Sequence, residues 1–133
     1  AAIFRFRMIV DEPVAKVDEL VLSLSIHQRY YLFRGHADMR NGFDRLSGLV
    51  REHLQKDPLG GDVFVFINKR RNQIKLLCWD GDGFMLFYKR LEQGTFELPK
   101  GEQSDITVDI LSCLLQGIKL STVRKRKRYV HGA

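Results

Sequence analysis

Cysteine and proline are scarce in this chain of 133 residues, which holds two of the first and three of the second. Two thiols, Cys78 and Cys113, are too few for a disulfide-stapled scaffold, which points to a reduced, cytoplasmic setting. His27, His36, His53 and His131 are scattered, and no Cys-x-x-Cys or His-x-x-x-His spacing offers a structural zinc site. No apolar run approaches the roughly 18 residues needed to span a bilayer, so no membrane association is expected. The first residues, Ala1 to Arg7, lack a long apolar core ahead of a small-residue cleavage site, which argues against a signal peptide. Absent too are a Gly-x-x-x-x-Gly-Lys phosphate loop and a Gly-x-Ser-x-Gly nucleophile elbow. These absences leave no cofactor and no catalytic residue to assign.

What is present is an uneven distribution of charge. Lysine and arginine exceed aspartate and glutamate by six. Residues 1–118 hold 16 side chains of each sign, and residues 119–133 hold six basic ones and no acid: Lys119, Arg124, Lys125, Arg126, Lys127 and Arg128. The whole net charge therefore sits in the tail. A neutral body with a cationic arm suits a polyanionic partner, which in a cytoplasmic protein usually means nucleic acid.

Length and patterning describe one domain over residues 1–120 and a basic tail over 121–133. Ile3 to Val10 reads either as a strand or as a remnant foreign to the natural chain, ahead of a natural start at Met8. Asp11-Glu12-Pro13 looks like a helix start, and Val14, Val17, Leu20, Val21 and Leu24 follow at helical spacing, so a helix is predicted over 12–25. Aromatic residues at Tyr30, Tyr31 and Phe33 predict a strand over 28–34. Asp38 offers an N-cap for a helix over 39–55, whose apolar stripe runs through Met39, Phe43, Leu46, Leu49, Val50, His53 and Leu54. Strands follow over 62–68, 73–79 and 84–89, joined by a Lys69-Arg70-Arg71-Asn72 turn and by Asp80-Gly81-Asp82-Gly83, a hairpin signal. A short strand is predicted at 95–98, a loop at 100–105, and a helix over 107–115 ended by Gly117. The class is α+β: an antiparallel β-meander of about four to five strands with helices packed on one face. The strand at 62–68 is apolar on both sides, so its second face is either covered or sticky.

Asp38-Met39-Arg40-Asn41-Gly42-Phe43-Asp44, Phe64-Val65-Phe66, Lys75-Leu76-Leu77 and above all Trp79-Asp80-Gly81-Asp82-Gly83-Phe84 with Leu86-Phe87-Tyr88-Lys89-Arg90-Leu91-Glu92 form a longer pattern. With Gly94, Phe96 and Pro99 it closely resembles the small accessory proteins, called TnpB, of the insertion sequence 66 family of bacterial transposable elements. The resemblance covers roughly residues 28–120. Asn41 stands where that family usually has a basic residue, and Cys78 where a second Trp is common. The resemblance implies a protein encoded beside a large, separate transposase and assisting it, with no agreed catalytic residue to carry over.

Asp80 and Asp82 could suggest a metal-binding carboxylate pair, but a two-metal nuclease needs carboxylates converging from several elements. Both lie in one turn where Asp and Gly are favoured for backbone reasons. Asp38 and Asp44 are possible further ligands, although Asp38 is better explained as a cap. Cys78 and Cys113 read as small core residues. No metal is expected. Lys69, Arg70 and Arg71 end one hairpin, and Lys89 and Arg90 return from the next to the same rim, with Lys75 between. Trp79, Tyr88, Phe87, Tyr30 and Tyr31 could stack on bases, but strand aromatics are usually buried. The DNA-binding candidates are thus Lys69, Arg70, Arg71, Lys75, Lys89 and Arg90 on the rim and Arg124, Lys125, Arg126, Lys127 and Arg128 on the arm. The expectation is a non-enzymatic accessory protein of transposition that binds DNA through phosphates and meets the transposase through its sheet. The rivals are a protein-interaction module without DNA binding and a metal-dependent nuclease.

Overall fold

Strand β4 (Val63–Ile67) is buried at all five of its residues, and that burial organises the rest. In this computed structural model residues 3–8, 19–23 and 27–117 are described, the first two segments by their backbone pairing. The chain follows the order β1 (Ile3–Met8), β2 (Glu19–Ser23), β3 (Tyr30–Leu32), α1 (Phe43–Leu49, continued by a π-helical turn over Val50–Leu54), β4, β5 (Gln73–Trp79), β6 (Phe84–Arg90), β7 (Asp105–Ile106) and α2 (Val108–Gln116). One sheet runs β2-β1-β6-β5-β4-β3-β7. The α+β class holds.

The central hairpins form as their turns dictate. β4 pairs antiparallel with β5 from Val63↔Cys78 to Ile67↔Ile74, and β5 with β6 from Gln73↔Arg90 to Trp79↔Phe84. β3 lies parallel to β4, because α1 and its loops carry the chain back before β4 begins. The sheet is therefore a meander only from β4 to β6.

The helices divide between the two faces instead of sharing one. Leu46 and Val50 of the α1 segment pack with Tyr31, Phe64, Phe66, Leu77 and Leu86. Leu111, Leu114 and Leu115 of α2 pack with Tyr30, Leu32, Val63, Val65, Ile74, Leu76 and Phe87 on the other. A strand apolar on both sides needs both sides covered, and one short helix covers only one. Among the described residues, both faces of the central strands are thus occupied.

Other boundaries also shift. The predicted helix over 12–25 is contradicted at 19–23, where β2 pairs with β1 from Ile3↔Ser23 to Arg7↔Glu19; the remainder lies outside the described residues. Leu20, Val21 and Leu22 suit a short strand as well as a helix, and β1 presents a ladder of backbone groups that need partners. Asp38 is not the cap of α1. Its carboxylate accepts from the Arg40 backbone N–H at 2.9 Å and from the Arg40 guanidinium at 2.6 Å, which holds its pKa at about 2, below the usual carboxylate range. Gly42 is the N-cap, and α1 starts four residues later than predicted. No strand forms at 95–98. Phe96 donates its N–H to Arg71 O and buries its ring beneath α2, while the edge pairing goes to Asp105 and Ile106 against Tyr31 and Tyr30. Pro99 has no N–H to continue a ladder.

α2 is delimited as its sequence predicts. The Thr107 hydroxyl accepts from Ile110 N at 3.2 Å, and Gly117 closes the helix at φ 72°, in the left-handed region that favours glycine. Leu111 is fully buried and Ile110 half-buried. Leu111→Ala is expected to lower the unfolding free energy by about 2–5 kcal/mol, and Ile110→Ala by clearly less. Urea unfolding followed by circular dichroism checks this, and equal losses would contradict the placing of α2 on the sheet.

Candidate nucleic-acid interface

The 69–71 cations sit on a braced turn. Asn68 Oδ1 accepts from Asn72 N at 3.0 Å and Gln73 N at 2.9 Å, and Asn68 Nδ2 donates to Asn72 Oδ1 at 2.7 Å. Arg71 N donates to Asn68 O at 3.0 Å. Arg71 itself adopts φ 58°, a conformation that costs a branched or bulky residue about 1 kcal/mol or more. The turn is tied to its neighbours as well: Asn72 O accepts from Leu91 N and Arg71 O from Phe96 N. The side chains of Lys69, Arg70 and Arg71 are exposed, and among the described residues no carboxylate forms an ion pair with them.

Lys89 and Arg90 arrive at the same end of the sheet, because Arg90 pairs with Gln73 and Lys89 with Ile74, just past the turn. Their side chains leave on opposite faces. Arg90 meets Glu92 at 3.1 Å, an exposed pair that contributes little and is readily exchanged. Half-buried Lys89 donates from Nζ to Leu115 O at 3.5 Å, at the C-terminal end of α2, where a cation meets the negative end of the helix dipole. The sequence gives no sign of that contact.

Lys75 does not join the rim. It is only 5% exposed, and its Nζ donates to Met39 O at 2.7 Å and Asn41 O at 2.9 Å, with the Tyr88 ring 5.5 Å away. Burial pushes its ammonium pKa down. Its position in β5 puts it on the α1 face, where it fixes the loop before α1; the same two bonds turn those carbonyls away from helical use. The arm residues Arg124 to Arg128 lie outside the described residues.

Of the aromatic candidates, Tyr30, Tyr31 and Phe87 are buried. Tyr88 is half-buried, and its hydroxyl hydrogen-bonds Gln73 Oε1 at 2.7 Å. Half-buried Trp79 meets Phe84 edge-on at 5.0 Å, and Phe43 stacks on Phe84 at 6.4 Å. This group lies beside the 80–83 turn, at the opposite end of the sheet from the basic rim. Asp80 and Asp82 are exposed there, and Gly81 supplies the positive φ of 79° that the turn requires. Among the described residues no three of His, Cys, Asp and Glu come together as a metal site. Burial, then the nearby Asp80 carboxylate, raises the Cys78 thiol pKa, which keeps it protonated and a poor nucleophile. A cleft of about 550 Å³ at the β3–β7 edge, lined by Gln28, Arg29, Lys56, Thr107 and the buried Tyr30 and Tyr31 among others, contains none of the cationic candidates.

A comparison with protein families matches residues 28–125 to the family described as IS66 Orf2 like protein. Two relatives from Sinorhizobium fredii (strain NBRC 101917 / NGR234) are similar. The uncharacterized protein y4hO is 41% identical over 92 residues, which span 68% of this chain and 80% of that protein. The uncharacterized protein y4jC is 35% identical over 91 residues, 67% of this chain and 78% of its own length. No solved structure matches. The chain belongs to the IS66 Orf2-like family, and that membership gives it an accessory role associated with transposition.

Lys75→Met separates the structural role of this lysine from phosphate binding. It strands two carbonyls, so the unfolding free energy is expected to fall by about 1–3 kcal/mol. The salt dependence of DNA binding should stay as in the wild type. Urea unfolding and a salt titration of duplex binding measure the two effects, and a flattened slope would return Lys75 to the interface.

Proposed function

We propose that this chain is a non-enzymatic, cytoplasmic accessory protein of transposition that binds DNA through phosphate contacts and assists a separate transposase. The observation that carries this reading is the exposed Lys69, Arg70 and Arg71 turn, braced by Asn68 and without a carboxylate partner among the described residues. Exposed cations on a rigid turn match a row of phosphates with little ordering cost. Arg90 adds to the rim once it leaves Glu92. The arm contributes five consecutive cations, Arg124 to Arg128, by sequence. Among the described residues no base-reading group stands beside the 69–71 turn, and binding that rests on charge falls on every DNA sequence alike.

A second reading draws on the half-buried Phe43, Trp79 and Phe84 at the far end of the sheet. Aromatic side chains that keep part of their surface in water are common at protein interfaces. Here the transposase would meet that end, and the basic end would serve solubility alone. A nuclease reading would require magnesium-dependent nicking.

Salt titration of duplex binding decides among them. Each phosphate neutralised contributes about −0.9 to the slope of log K against log salt. Replacing Arg124 to Arg128 by Ala should flatten the slope by up to about 4.5, and replacing Lys69, Arg70 and Arg71 by up to about 2.7. Slopes unchanged in both variants would leave the interaction-module reading in front.

A further inference from the structure

The cleft of about 550 Å³ at the β3–β7 edge has the size of a small-ligand site, and hydrogen bonds fix its walls. Arg29 O accepts from Val63 N at 2.9 Å and Ser104 O from Leu32 N at 2.6 Å. The Gln28 amide donates to Gly61 O at 3.0 Å. Gln55 shapes the wall on the α1 side. It ends the π-helical turn in the left-handed region, at φ 53°, and Lys56 follows with its N–H on Val50 O at 3.3 Å. Single π-helical turns and non-glycine residues held at positive φ both recur at functional sites. Here they set Lys56 Nζ over the Tyr31 ring, 4.9 Å from its centre, within the cleft wall.

The charges of that wall are not neutralised by one another. Arg29 and Lys56 are exposed, and among the described residues neither lies within ion-pair distance of a carboxylate. That holds for Asp105 too, although Asp105 pairs with Tyr31 in the β3–β7 ladder and so shares its face of the sheet. Two cations and one carboxylate leave the lining with positive charge in excess. The other side of the ladder is apolar: Ile106, paired with Tyr30, and Val108 are half-buried against the α2 core. A fitting occupant therefore carries an anion for Arg29 and Lys56, a hydrogen-bond donor for Asp105, and a flat apolar body for Ile106 and Val108.

We propose that this cleft binds a nucleoside monophosphate unit, free or as part of a single strand. The phosphate lies between Arg29 and Lys56, a sugar hydroxyl or base amine donates to Asp105, and the base rests on Ile106 and Val108. A bare phosphate would leave the carboxylate and the apolar wall without a partner, and a purely apolar ligand would leave both cations so. A base stacked within a duplex cannot enter. The site is thus separate from the basic rim, which lies past Ile67, at the opposite end of β4 from the Val63–Tyr30 pair. It does not depend on duplex binding there.

Isothermal titration of the full chain tests this with two probes: deoxyadenosine 5′-monophosphate and a single strand of ten deoxyadenosines. The mononucleotide should saturate one site per chain, and deoxyadenosine without phosphate should bind at least about tenfold more weakly, as loss of a charge-assisted hydrogen bond predicts. Lys56→Met and Arg29→Gln should each cost a similar factor. Replacing Lys69, Arg70 and Arg71 together by Ala should leave mononucleotide affinity unchanged. Thermal melts check the fold, and the exposure of Arg29 makes its variant the safer of the two. A tenfold loss for the mononucleotide in the cleft variants assigns the site to free nucleotide, and the same loss for the strand alone assigns it to a strand-borne one. Binding of neither probe, or affinities that both cleft variants leave unaltered, would overturn the proposal. A mononucleotide affinity that falls only in the triple variant would place the phosphate on the rim and overturn it as well.

Discussion

The constraint on which this fold depends is that β4 cannot present either face to water. Val63, Val65 and Ile67 fill one side and Phe64 and Phe66 the other, all at 3% exposure or less. An antiparallel sheet with one polar face could manage with helices on one side; this one requires a helix on each. The requirement explains the parallel β3–β4 pair, since the chain must pass over one face as α1 before it returns to begin β4. It also explains why α2 comes last and lies on the remaining side. The loop before α1 is held by a buried lysine, because Lys75 occurs where that face meets the Met39 and Asn41 carbonyls.

The same hairpins sort charge by position along the strands. The 69–72 turn and the end of β6 bring Lys69, Arg70, Arg71, Lys89 and Arg90 to one end of β4, β5 and β6, with Glu92 beside Arg90, and the 80–83 turn at the other brings Asp80 and Asp82, with Asp62 nearby at the start of β4. A body with equal numbers of acids and bases can thus carry a local positive field at one end. Local fields of that kind steer a polyanion more effectively than net charge suggests, because the acids of the 80–83 turn lie a strand length away and are screened at physiological salt.

Much of this was legible because antiparallel registers follow from turn lengths. The four-residue stretches 69–72 and 80–83 fix which residues of β4, β5 and β6 face each other, and hence bring Lys89 and Arg90 back to the rim. Lys75 was misplaced because alternation assigns a side chain to a face without saying what covers that face. The predicted N-terminal helix gives way at 19–23 for a related reason: an apolar run as short as Leu20, Val21 and Leu22 suits a strand as well as a helix, and only the pairing available from β1 decides. Asp38 has the chemistry of a cap, but Arg40, two residues on, competes for its carboxylate at 2.6 Å. β7 is two residues long and carries no pattern at all; its pairing is set by where α2 must start.

The run from Trp79 to Glu92, by which the family is most easily recognised, is explained by folding more than by chemistry. Trp79 and Phe84 close the hairpin edge-on, and Gly81 provides its positive φ. Leu86 and Phe87 then enter the two opposite cores in turn. Tyr88 hydrogen-bonds Gln73 and lies beside Lys75, Lys89 meets the end of α2, and Arg90 meets Glu92. Nearly every side chain of the run has a structural partner, so a single substitution there acts first on the hairpin and on what it anchors. The cations best placed to meet a phosphate, Lys69, Arg70 and Arg71, lie outside that run, on the preceding turn. Their side chains are exposed and make no core contact, which is the physical condition for a surface that can be covered without disturbing the fold.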